Sequence, residues 1–171
     1  MTDANHPLAL CAALTARTNQ LALGLEHGAA GLLELVTPTT AELLLWWFGQ
    51  DMVDARGWMN FHVGQRQAIL NAIVAHEVLG ATSVQDLYEK AASDALLAGT
   101  RLAEVSANKH VHPKYCFKMA TGTGKTWVLQ ALLIWQLLNR TTCCWAKARC
   151  GNGRTRAHTW RSCWTMRGCD Q

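Results

Sequence analysis

Lys118-Met119-Ala120-Thr121-Gly122-Thr123-Gly124-Lys125-Thr126 decides how this 171-residue chain is read. Just before it, Tyr115-Cys116-Phe117-Lys118-Met119 has the residue types of a short buried strand. Just after it, Trp127–Asn139 is apolar on nearly every face, which predicts a helix over 125–139 buried between a sheet and other helices. Strand, glycine-rich turn and helix is the setting that a phosphate-binding loop requires. Gly122 and Gly124 let backbone N–H groups turn inward with no Cβ in the way. The helix N-terminus adds unpaired amides and the positive end of its dipole. Such a loop takes a nucleoside triphosphate: Lys125 reaches the β- and γ-phosphates, and the Thr126 hydroxyl takes a coordination position on Mg²⁺. The candidate nucleotide-binding residues here are therefore Thr121, Gly122, Thr123, Gly124, Lys125 and Thr126, with Lys125 as the candidate catalytic residue. The bland alternative is a glycine-rich turn that happens to end in Lys-Thr, and the flanking strand and helix count against it. One position departs from the strict pattern: Met119 stands where Gly or Ala is the rule. A Met can point into the core from a strand end and leave the phosphate cradle intact.

Upstream of this loop the pattern is helical. Leucines at 10, 14, 21, 25, 32 and 35 predict helix over 8–35, with Gly24, Gly28 and Gly31 as weak points. Thr39 and Glu42 read as a capping box for a helix that runs to Phe48 and stops near Gly49. Gly57–Asn60 reads as a connector. A strong helix is predicted over 65–79, with Ile69, Ala72, Ile73 and His76 on one stripe and Gly80 as its stop. Thr82 and Gln85 suggest another capping box, for a helix over 83–98 closed by Gly99. Pro113 ends the loop 106–113.

Composition adds two asymmetries. Residues 1–104 carry 11 acidic and 5 basic side chains, whereas residues 105–171 carry 1 acidic and 11 basic. Thr141–Gln171 holds five Arg, five Cys and three Trp and no Leu, Ile or Val. A segment without aliphatics has no periodic apolar face to give a core. No apolar run reaches the ~18 residues that span a bilayer, and no basic residue precedes Arg17 to open a secretory signal. A soluble, cytoplasmic protein without membrane contact is expected.

Phe61-His62-Val63-Gly64-Gln65-Arg66-Gln67-Ala68-Ile69, followed by Lys118–Thr126, resembles the N-terminal motor region of superfamily-2 DEAD/DEAH-type DNA helicases. More narrowly it resembles the Res subunit of type III restriction enzymes. The likeness extends over 37–139 and includes Trp46-Trp47-Phe48, His76-Glu77-Val78-Leu79-Gly80 and Trp135-Gln136-Leu137-Leu138-Asn139. It implies an α/β P-loop (RecA-like) fold, ATP and Mg²⁺ as cofactors, DNA as partner and a modification subunit alongside. It also implies that Gln65 reads the adenine edge, since an amide both donates and accepts; the bland reading is a polar first-turn residue. The implied organisation is a helical N-terminal region over 1–60, the start of the ATP-binding domain over 61–140 with a helical insertion at 82–98, and an anomalous tail over 141–171. The family continues with an Asp-Glu pair and a second RecA-like domain, yet the only acidic residue after Lys125 is Asp170. The expectation is thus the N-terminal part of an ATP-dependent DNA helicase or translocase that binds nucleotide without hydrolysing it. The alternatives are a small nucleotide-binding or phosphoryl-transfer P-loop protein of another class, or an inactive truncated product.

Three readings compete for the tail. The Cys spacings fit no familiar zinc pattern. Arg149, Arg154, Arg156, Arg161 and Arg167 interleave with Trp160 and Trp164 as in a nucleic-acid arm, but no scaffold supports them. The favoured reading is a shifted frame: Thr142-Cys143-Cys144-Trp145-Ala146, read two bases on, encodes Leu/Met/Val-Leu-Leu-Gly and restores the missing aliphatics. His110, His112 and Cys116 could ligate a metal, but a solvated loop is the more ordinary reading. Trp46-Trp47 could stack on DNA, although a buried helix face explains the pair more simply.

Overall fold

A computed structural model describes residues 8–97 and 119–149, with residues 143–149 as backbone helix. The chain opens with α1 (Ala9–Leu21). Gly24 and Gly28, both in the left-handed region at φ 74° and 72°, bracket a 3-10 turn over Leu25–His27, and the short α2 (Ala30–Leu33) follows. Gly31 kinks α2 at φ 8° and ψ −105°, so the expected helical stretch 8–35 is interrupted at each of its three glycines.

The next helix, α3 (Pro38–Phe48), starts earlier than the expected Thr39 cap. Pro38 has no N–H to satisfy and its fixed φ suits the first helical position, so Thr37 is the cap and its hydroxyl oxygen accepts from Thr40 N. Gly49 ends α3 as expected, and α4 (Gln50–Arg56) follows at once before the connector at 57–60. The strongly predicted helix over 65–79 appears as α5 (Val63–Ile73) and a wider π-helical turn over Val74–Val78, closed by Gly80 at φ 57°.

The expected capping box at Thr82 and Gln85 is displaced by one residue. Ser83 caps α6 (Val84–Ala91), taking the N–H of Asp86, while the Asp86 carboxylate takes the N–H of Thr82. Gln85 instead faces solvent and donates to Glu89. Ala92 breaks the helix with φ −149° and ψ 49°, so the single helix expected over 83–98 is α6 and α7 (Ser93–Leu97), and Gly99 lies outside the described residues.

The last helix, α8 (Lys125–Arg149), passes ten residues beyond the expected end at Asn139. No Gly or Pro occurs between Lys125 and Gly151 to stop it. Thr141 and Thr142 turn their hydroxyls back onto the carbonyls of Leu137 and Leu138, so neither interrupts it.

The core is built around α5. Ile69, Ile73 and Val74 are fully buried, and Leu14, Leu25, Leu32, Leu44, Trp47, Phe48 and Leu87 close over them. Among the described side chains of α8, Val128, Ala131 and Trp135 are the buried ones, one face at helical spacing. Leu129, Leu133, Ile134, Leu137 and Leu138 are exposed, so the expectation of a helix covered on every side is corrected. The described residues are all helix, turn and coil, and the strand expected over 115–119 lies outside them except for Met119. Among the described residues no helix is long and apolar enough to cross a membrane.

Candidate functional site

α5 begins with an unusual cap. Histidine is not among the side chains that usually accept at a helix N-terminus, yet the Nδ1 atom of His62 takes the N–H of Gly64 at 3.1 Å and of Gln65 at 3.4 Å. A nitrogen that accepts N–H bonds is unprotonated, so the ring proton of neutral His62 sits on Nε2. That Nε2–H lies 2.9 Å from the Thr123 carbonyl oxygen and donates to it. The cap of α5 and the glycine-rich loop are thus joined by a single imidazole.

Gln65 makes the second bridge. Its Oε1 accepts from the backbone N–H of His62 at 3.1 Å, completing a capping box. Its Nε2 donates to the carbonyls of Thr123 (3.0 Å) and Gly124 (3.3 Å). The side chain is buried, as its complete set of partners allows. Sequence reasoning placed Gln65 in the same site as Thr121–Thr126, and the structure brings them together across 58 and 59 residues.

The loop itself turns at Gly122 (φ 81°) and Gly124 (φ 70°), a region that residues with a Cβ avoid. A Cβ on Gly124 would collide with the Gln65 amide, whereas one on Gly122 would meet open space. The Thr123 hydroxyl donates to the Ala120 carbonyl at 2.7 Å and steadies the turn. Met119 is partly buried and packs against the core.

At the end of the loop the Gly124 carbonyl accepts from Trp127 N at 3.0 Å. Among the described residues no acceptor takes the N–H groups of Gly124, Lys125 or Thr126. These are the orphan donors of a helix N-terminus, and the Lys125 and Thr126 side chains beside them are exposed. Among the described residues the arrangement fits an anionic ligand: free amides, one ammonium, one hydroxyl and no carboxylate. It does not by itself fit a resident metal, because no group of three His, Cys, Asp or Glu among the described residues could hold one. A Mg²⁺ ion at Thr126 would arrive with its phosphates. His110, His112, Cys116 and the cysteines of the tail lie outside the described side chains.

Aromatic rings support the site from below. Phe61, next to the histidine cap, packs edge-on against Trp127 (centroids 6.2 Å apart), Phe48 (5.7 Å) and Trp47 (6.2 Å). Of the pair considered for stacking on DNA, Trp47 is buried in this cluster and Trp46 is exposed. Arg66 lies over the Phe48 ring and pairs with Glu26 at 3.1 Å. The Glu26 carboxyl is held below its ordinary range by its own backbone N–H and by Arg66.

Farther along α8 a polar cluster fixes the helix. The Glu77 carboxylate takes the Thr37 N–H at 2.9 Å on one oxygen, and the Thr40 hydroxyl and the Trp135 indole N–H (2.8 Å) on the other. Asn139 joins by donating to Thr40 at 2.9 Å and accepting from the Thr37 hydroxyl. The π-helical turn is what aims Glu77 here. From sequence, His62 and Glu77 have a place in the stretches that carry the resemblance but no role of their own. A carboxylate inside the apolar run Ala72–Leu79 was the available signal for Glu77.

Residues 60–143 match the family model described as type III restriction enzyme, res subunit. The match bears out the resemblance drawn from the two motifs and covers both bridges to the loop, α5 and the part of α8 that carries Trp135 and Asn139. Neither the curated proteins nor the solved structures include a match to this chain.

Proposed function

We propose that this chain, res-subunit-like over residues 60–143, binds the triphosphate of ATP with Mg²⁺ at the N-terminus of α8, as the nucleotide-binding part of a helicase-type ATPase. One observation carries the reading: a glycine-rich loop whose carbonyls are held by α5 leaves three unpaired N–H groups beside Lys125 and Thr126. The Lys125 ammonium neutralises phosphate oxygens, and the Thr126 hydroxyl is the protein's ligand to Mg²⁺. Bound Mg²⁺ supplies charge neutralisation across the phosphates. Gln65 is the residue that the family resemblance assigns to the adenine edge. DNA and a modification subunit are the partners that the family resemblance carries over. Hydrolysis would take an acidic pair to position water, and between Lys125 and Gln171 Asp170 is the one carboxylate side chain.

The test is titration of the full chain with a fluorescent ATP analogue, with and without Mg²⁺, alongside phosphate release. Wild type binds and releases phosphate at background. Lys125→Ala weakens binding by about tenfold or more, as loss of a charge-assisted contact does. Thr126→Ala removes mainly the Mg²⁺ dependence. Absence of saturable binding by wild type at millimolar nucleotide overturns the reading.

A further inference from the structure

The two bridges to the loop act on carbonyls, whereas phosphate is bound by amides. Peptide planarity connects them. In a trans peptide the C=O of one residue and the N–H of the next point in opposite directions from one rigid plane. Whatever holds the Thr123 carbonyl toward α5 therefore holds the Gly124 N–H away from it, toward the side where that N–H is unpaired. The Gly124 carbonyl, bound by Gln65 and by Trp127 N, aims the Lys125 N–H in the same manner.

We infer that His62 is a positioning residue for phosphate binding: its Nε2–H fixes the Thr123–Gly124 peptide so that the amide faces the ligand. The inference rests on the nucleotide-binding reading of Thr121–Thr126 and adds a residue to it. Without Gln65 and His62 a peptide that leads into Gly124, at φ 70° and free of a Cβ, has little to prevent it from flipping. Thr123 O has two lone pairs, and these two side chains fill both. His62 is suited to the task because a rigid ring carries its two nitrogens on opposite edges. Nδ1 is spent on the α5 cap, so the direction of Nε2 is set by the helix and not by a free rotamer.

Capping and positioning can be separated by substitution. Asn is a good N-cap, and its side-chain oxygen can take the Gly64 and Gln65 N–H groups, but it is too short to reach Thr123 O. His62→Asn should therefore keep the melting temperature close to wild type and weaken the nucleotide by roughly three- to tenfold, the range for one hydrogen bond. His62→Ala should lose both stability and affinity. Inorganic tripolyphosphate, which has no base to recognise, should be weakened in His62→Asn by the same factor as ATP. The readouts are titration of the full chain with both ligands and thermal unfolding of each variant. If wild type binds both ligands and His62→Asn binds them equally well, the role of His62 is overturned and the nucleotide site stands. The same holds if His62→Asn weakens ATP alone, which would make the effect one on the base. If wild type binds neither, both readings fall together.

Discussion

The Gln65 amide nitrogen lies in the space that a side chain at Gly124 would need, while its hydrogens reach the carbonyls of Thr123 and Gly124. Glycine is required at 124 twice over, by φ 70° and by this approach, whereas Gly122 is required only by φ 81°. Gly122→Ala should cost ~1–2 kcal/mol, the penalty of the left-handed region. Gly124→Ala adds displacement of a buried amide from its acceptors, for a total of ~2–4 kcal/mol. Chemical denaturation of both variants checks the order. Equal losses would mean that Gln65 does not hold the loop in solution.

Glu77 presents two acceptors to three donors, the Thr37 N–H, the Thr40 hydroxyl and the Trp135 indole. The Glu77→Gln change keeps the shape but turns an NH₂ toward donors, so it should destabilise by ~1–3 kcal/mol. Trp135→Phe keeps the ring against His76 and removes one donor, at ~1 kcal/mol. Because both changes strike one network, the double variant should cost less than the two losses added. A double-mutant cycle by urea unfolding measures the coupling, and strict additivity would dissolve the network as a unit.

How far the sequence discloses this site depends on whether the signal is local. The phosphate loop is written in one unbroken run, Thr121–Thr126, and Gln65 three residues into its own helix carries half of a capping box. The helix caps, Thr37 and Ser83, lie one or two residues from the expected Thr39 and Thr82 because several Thr, Ser and acidic side chains at each boundary satisfy the same rule. Only geometry decides which of them bonds. His62 was illegible because its capping role uses a residue type outside the usual set and its second bond spans 61 residues. The exposed side of α8 was misread for another reason: a helix apolar on every face states what it could bury, not which face its neighbours reach.

His76 sits edge-on to Trp135 at 5.4 Å, and burial pushes its pKa below the ordinary histidine value. In the unfolded chain His76 takes up a proton as pH falls through about 6.5, while the folded protein resists doing so. The unfolded state therefore binds more protons in that window, and stability falls with pH below about 6.5 until the folded histidine also protonates. His76→Phe keeps an aromatic ring and removes the titration. Its stability should change less between pH 7 and 5 than that of wild type, as read by denaturation at each pH. An unchanged slope would place the dependence on other groups, and Asp86 is not one of them. There burial opposes the charge but hydrogen bonds from Lys90 and Thr82 outweigh it, and the resulting loss comes only at more acid pH.

The two faces of α8 should respond oppositely to substitution. Val128 and Trp135 are buried, and truncating Trp135 to Ala should cost ~3–5 kcal/mol through the cavity and the lost donor. Leu133 and Leu137 are 67% and 57% exposed, so replacing both by Glu removes no core contact and should alter stability by no more than ~0.5 kcal/mol per site. With Leu129 they form a row of leucines four residues apart on one side of the helix, an apolar stripe available for self-association. The double Glu variant should accordingly stay dispersed at protein concentrations where wild type scatters light. If the Glu pair instead unfolds the chain, that face of α8 is covered in solution and the stripe is no self-association surface.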